Sequence, residues 1–156
     1  MLFRTIYIGI GSNLGDREAV MQAGIEAVES DLVELKSIKA LTISPIYETE
    51  AWGMSPETPI FLNQVIAIET DINVERLLQI LINIEINLGR TRHKEGYSNR
   101  TIDLDILLDR DIILKTPNLI IPHPKIVERR FVLQPLFDLD SEIKIPGENC
   151  TVGEAL

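Results

Sequence analysis

A β-α-β-β-α-β order of elements within one α+β domain is what this 156-residue sequence predicts, and three observations predict it. Apolar segments rich in β-branched residues, at 5–11, 32–47, 60–70 and 100–108, read as strands. Two intervening segments, 16–30 and 74–88, space their apolar residues as helices do. No repeat, linker or low-complexity stretch divides the chain. That order is the ferredoxin-like arrangement, an antiparallel sheet with two helices on one face, followed here by a short C-terminal extension.

Each element has its own warrant. TIYIGIG at 5–11 is short, apolar and ends in glycine, as a buried strand does. Asp16 is a suitable N-cap for a helix to about Ser30, with Met21, Ile25 and Val28 on one side. Residues 32–47 alternate enough for a long strand, bent around Lys36 and Ser37. A loop with two prolines follows at 48–59, and IFLNQVIAIET at 60–70 is the clearest strand. Apolar residues at 74, 77, 78, 81 and 88 mark the second helix. The polar stretch 89–99 leads to a strand at 100–108, and 111–114 adds a short one. Pro122, Pro124 and Pro135 interrupt the remainder, where a short helix is expected near 131–139.

Composition narrows the function. A length of 156 residues fits a single domain over 1–156, which buries ~70% of its unfolded surface. Net charge −9 argues against nucleic acid and membrane surfaces as partners. No apolar run approaches the ~18 residues of a membrane span, and no signal-peptide cleavage site is evident, so a cytoplasmic protein is expected. Cys150 is the lone cysteine, and two histidines make no zinc-type cluster.

The chemistry concentrates in two adjacent tracts. In Arg100-Thr-Ile-Asp103-Leu-Asp105-Ile, a strand puts Ile102, Leu104 and Ile106 in the core and projects both aspartates from the other face. Paired carboxylates repel, and a hard divalent cation such as Mg²⁺ relieves this while leaving positions for substrate phosphates. The bland alternative is an acidic solvent face. Just upstream, however, Arg90, Arg92, Lys94 and Arg100 set four cations within eleven positions of an acidic protein. Guanidinium groups suit phosphate oxygens, so the tracts together read as metal plus polyphosphate. A second basic group, 125–130, lies downstream.

Other residues fit around this pair. Phe61 and Asn63 share one strand face, where stacking and an amide edge suit a flat heterocycle. Phe131, beside Arg129 and Arg130, offers a second wall, and His123 sits between Pro122 and Pro124 as a phosphate donor. Glu85 falls on the apolar stripe of the second helix. It therefore either pairs with a loop arginine or frays into solvent, in a supporting role. Gly9, Gly11 and Gly15 miss the dinucleotide-fold spacing and serve a tight strand-to-helix turn; no P-loop is present.

Together and in this order, the pieces resemble the 6-hydroxymethyl-7,8-dihydropterin pyrophosphokinase family of folate biosynthesis. The resemblance runs through Tyr7-Ile-Gly-Ile-Gly-Ser-Asn-Leu-Gly15, Ser44-Pro-Ile-Tyr-Glu-Thr49, Phe61-Leu-Asn63 and Ile84-Glu-Ile-Asn-Leu-Gly-Arg90. It continues through Arg100-Thr-Ile-Asp-Leu-Asp105, Ile121-Pro-His-Pro124 and Arg129-Arg-Phe-Val-Leu133. It implies transfer of pyrophosphate from ATP to the pterin hydroxymethyl group, with AMP released. Carried over, Asp103 and Asp105 hold two Mg²⁺ ions, and Arg90, Arg92 and Arg100 are the catalytic phosphate-loop arginines. His123 and Arg129 add ATP contacts, Phe61 and Phe131 sandwich the pterin, and Asn63 with groups near Thr49 reads its edge. The family usually carries a basic residue, Trp, Gly and Pro before Arg100, where this chain has Gly96, Tyr97, Ser98 and Asn99. An active monomer is expected. The competing readings are a non-catalytic ferredoxin-like ligand-binding module, which leaves the paired tracts unexplained, and RNA binding, which two aspartates on the sheet oppose.

Overall fold

The computed structural model describes residues 2–13, 15–49, 60–89 and 102–156. Strand β1 (Arg4–Ser12) turns through Gly15, at φ 67°, into helix α1 (Arg17–Glu34). Only glycine adopts that backbone angle readily. Asp16 caps α1 by accepting the Ala19 amide at 3.2 Å. Strands β2 (Ile38–Ile43), β3 (Tyr47–Thr49) and β4 (Phe61–Thr70) follow, then helix α2 (Val74–Asn87) and strand β5 (Asp103–Asp109). The C-terminal part holds β6 (Leu114–Lys115), β7 (Ile120–Ile121), a 3-10 turn (Ile126–Glu128), α3 (Arg130–Leu139) and α4 (Val152–Ala155).

The antiparallel sheet runs β2-β4-β1-β5, with β3 paired to the start of β4. Counting β2 and β3 as one broken strand gives the ferredoxin-like order. Period-two alternation divides its residues between two cores. Ile6, Ile8, Ile10, Leu62, Ile66, Ile68, Ile102, Leu104 and Ile106 face α1 and α2. Val65, Leu107 and Leu108 pack on the opposite side with Val132, Leu133 and Leu136 of α3.

Three expectations need correction. Residues 32–34 continue α1 rather than begin a strand, because Leu32 is fully buried on the Met21–Ile25–Val28 stripe. The long strand 32–47 is two strands parted at Ser44 and Pro45. Pro45 has no amide to donate, and the Ser44 hydroxyl accepts the Val65 amide at 2.9 Å, filling the gap in the ladder. The short strand expected at 111–114 lies at Leu114–Lys115 and pairs with β7, which was not foreseen.

Candidate active site

Sheet register builds the site on the face opposite α1 and α2. Gly11 pairs with Asn63 on one side and Asp103 on the other; Gly9 pairs with Val65 and Asp105. Neighbouring strands lie ~4.8 Å apart, so Asn63 and Asp103 flank Gly11 with backbones ~10 Å apart. Nothing but a hydrogen projects between them. A Cβ at Gly11 would stand 3.5 Å from Asn63 Oδ1, in ordinary contact, so the strip above the glycine is open. Asp103 and Asp105 are half-buried and share this face, as the alternation with buried Ile102, Leu104 and Ile106 requires.

Asn63 is held in a defined orientation. Its Nδ2 donates to the Tyr47 carbonyl at 3.4 Å, while Oδ1 is the atom nearest the Gly11 strip. Phe61, two residues away on the same face, pairs with Thr49 of β3. The Tyr47 hydroxyl donates to Asp138 of α3, tying β3 to the helix that carries Phe131. That bond, foremost, raises the Tyr47 pKa.

His123 is tied to β5 where that strand bulges. Tyr7 pairs with Leu108 but Ile8 with Ile106, which leaves Leu107 without a register partner. The Leu107 carbonyl accepts the His123 amide at 2.9 Å. Burial is the main cause lowering the His123 pKa from 6.5, Arg129 and Lys125 lower it further, and Asp103 opposes them. Nδ1 accepts the Lys125 amide at 3.3 Å, so the neutral ring carries its proton on Nε2. Arg129 lies over the Phe131 ring, 5.6 Å from its centroid.

Among the expected site residues, Asn63 and Asp103 thus flank one strand. His123 and Arg129 lie within electrostatic reach of one another, and His123 within reach of Asp103. Arg90, Arg92 and Arg100 lie outside the described residues, as do Gly96, Tyr97, Ser98 and Asn99. Glu85 does not fray into solvent: it is 1% exposed and accepts the Leu104 amide at 2.8 Å. Sequence reasoning overlooked Tyr47 and the open strip at Gly11. The alternation of Gly9 and Gly11 with Ile8 and Ile10 was the available signal, since it assigns both glycines to the face opposite α1 and α2.

Fold and face together define a ferredoxin-like domain whose outer sheet surface carries a polar site around a glycine strip. The chain belongs to the 7,8-dihydro-6-hydroxymethylpterin-pyrophosphokinase family, which it matches over residues 7–141. A 2-amino-4-hydroxy-6-hydroxymethyldihydropteridine pyrophosphokinase from Porphyromonas gingivalis is 39% identical over 137 residues, 86% of this chain and 89% of that protein. The Bacillus subtilis protein of the same name is 37% identical over 138 residues, 88% and 79% of the two chains. A solved HPPK-DHPS structure in complex with substrates is similar in fold, with a TM-score of 0.70 at 15% identity. The alignment covers 99% of this chain and 43% of that longer one.

Proposed function

We propose that the chain transfers a pyrophosphoryl group from ATP to the hydroxymethyl oxygen of 6-hydroxymethyl-7,8-dihydropterin. The observation that carries this reading is the row Asn63–Gly11–Asp103, which sets a heterocycle-reading amide and a carboxylate on either side of an open strip. In the transfer, the hydroxymethyl oxygen bonds to the β-phosphorus. The bond from that phosphorus to the α,β-bridging oxygen breaks, AMP departs with that oxygen, and the hydroxyl proton is released.

The pterin ring lies over the glycine strip, stacked by Phe61 and Phe131 and read at its edge by Asn63 and groups near Thr49. The Asp103/Asp105 pair suits Mg²⁺, because both donors are hard carboxylate oxygens. Two such ions, when bound, neutralise the phosphate charges that build up during transfer. His123 donates from Nε2 to a phosphate oxygen, and Arg129 adds a fixed positive charge. Arg90, Arg92 and Arg100 supply the remaining phosphate contacts. Placement and charge neutralisation dominate such transfers, and these residues provide both.

The decisive assay separates products. AMP should form from ATP only when both Mg²⁺ and the pterin are present, and Asp103→Ala or Asp105→Ala should abolish turnover in a folded protein. ADP as the product, or near-normal rates in either variant, would refute the assignment.

A further inference from the structure

We propose that Glu85 is a positioning residue: by accepting the Leu104 amide, its carboxylate fixes the register in which Asp103 and Asp105 face a divalent cation. This rests on the reading of the two aspartates as a cation site.

Glu85 is placed where helix stability alone would not put a carboxylate. It is 1% exposed, on the Leu77–Leu81–Ile84 stripe, and in the last turn of α2. Burial and the negative end of the helix dipole both disfavour an anion there, and a leucine would suit the stripe better. Its bond explains the choice. Among the described residues β5 is an edge strand, joined in this sheet to β1, so alternate amides along it point away from β1. Leu104 carries such an amide, and it lies between the two aspartates. Glu85 Oε2 takes it at 2.8 Å.

The bulge makes this contact necessary. The far end of β5 is anchored by Asp109, which binds Arg4 through both carboxylate oxygens at 3.0 Å. With Leu107 unpaired in register, however, that anchor does not dictate the register of Asp103–Ile106. A slip of one residue would turn both aspartates into the core. The α2 contact holds the site half of the strand independently.

The test uses Mn²⁺ as the cation probe, with a non-hydrolysable ATP analogue, and amide exchange at Leu104 as a readout apart from turnover. In Glu85→Leu, or Glu85→Met as the closer shape, Leu104 exchange should accelerate while β1 and α1 amides keep wild-type protection. The Mn²⁺ dissociation constant should rise about 10- to 100-fold, the usual effect of losing an outer-sphere partner. Glu85→Gln keeps an acceptor and should restore both. The positioning role is overturned if Glu85→Gln falls with Glu85→Leu, if protection is lost throughout, or if Mn²⁺ affinity is unchanged. Asp103→Asn serves as the control: unchanged Mn²⁺ affinity in that variant sinks the cation site itself rather than the role of Glu85.

Discussion

Gly24, in the interior of α1, allows a packing argument to be tested beside the site. A Cβ there would lie 2.5 Å from Ile102 Cδ1, with Ile102 Cγ1 and Leu104 Cδ2 at 3.9 Å. Carbon atoms in contact sit about 3.5–4.0 Å apart, so Ile102 must retreat by about 1 Å. Ile102 is fully buried among the residues between sheet and helices, and it immediately precedes Asp103. Two effects therefore compete in Gly24→Ala. Replacing an interior helix glycine gains about 0.8–1 kcal/mol. Overpacking a filled core costs about 1–3 kcal/mol. The clash wins, for a net loss on the order of 1 kcal/mol.

Urea unfolding of a double-mutant cycle decides this. Ile102→Val removes the clashing methyl and alone should cost about 0.5–1.5 kcal/mol. Combined with Gly24→Ala it nearly conserves volume, so the double variant should recover wild-type stability or exceed it. A coupling energy of about 1 kcal/mol or more is expected for residues in contact. Because Ile102 adjoins Asp103, the single glycine variant should also need more Mg²⁺ for half-maximal turnover, and the double variant should not. A Gly24→Ala protein stabilised by the full helix gain of about 1 kcal/mol, with additive effects in the cycle, would show that Ile102 yields without cost.

Three further outcomes follow from the same structure. Asp109→Ala strands a buried Arg4, whose side chain is 6% exposed, and should cost about 3–5 kcal/mol in urea unfolding, with specific activity of the folded fraction kept; a loss below about 1 kcal/mol would show that water screens the pair. Gly11→Val places a side chain between Asn63 and Asp103, so the fold should persist while the pterin KM rises about tenfold, worth about 1.4 kcal/mol; an unchanged KM would remove the glycine strip from the site. His123 has a folded pKa below 6.5, so the unfolded state binds more protons below that pH, and stability should fall as pH drops from 6.5 through the folded value. His123→Gln should flatten that slope, and a nucleotide, being anionic, should drive proton uptake by wild type in calorimetry; equal slopes in the two proteins would exclude His123 as the titrating group.

Period-two patterning made most of the fold and half of the site legible. Asp103 and Asp105 on one face, Phe61 and Asn63 on another stretch of the same face, and the apolar stripe of α2 all follow from spacing alone. What the sequence hid depends on pairing. Leu32 reads equally well at the start of a strand or the end of a helix, and only the Met21–Val28 stripe beneath it decides for the helix. The break at Ser44 is visible only once Val65 stands opposite. The bond from the Leu104 amide to Glu85 is hidden too, because a backbone amide nineteen positions away leaves no mark in side-chain pattern. Gly11 reads as turn chemistry for the same reason: its value lies in what its neighbours across two strands project.

The bulge at Leu107 explains why one strand can serve both stability and chemistry. Beyond it, Leu108 packs with α3 and Asp109 closes a buried ion pair, demands that fix side chains tightly. Before it, Asp103 and Asp105 must remain half-exposed on the open face. A regular strand would join these halves rigidly, and any adjustment at the aspartates would strain the ion pair. The extra residue breaks that linkage and lends its carbonyl to the His123 amide, drawing the C-terminal segment toward Asp103. Deleting Leu107 would merge the two registers into one regular ladder, because Ile8–Ile106 and Tyr7–Leu108 then become consecutive pairs, so Asp103 and Asp105 keep their face. The carbonyl that takes the His123 amide is lost with it, so the nucleotide KM should rise while metal affinity holds, and conservative changes at Leu108 should weaken the fold and leave substrate KM values as they are.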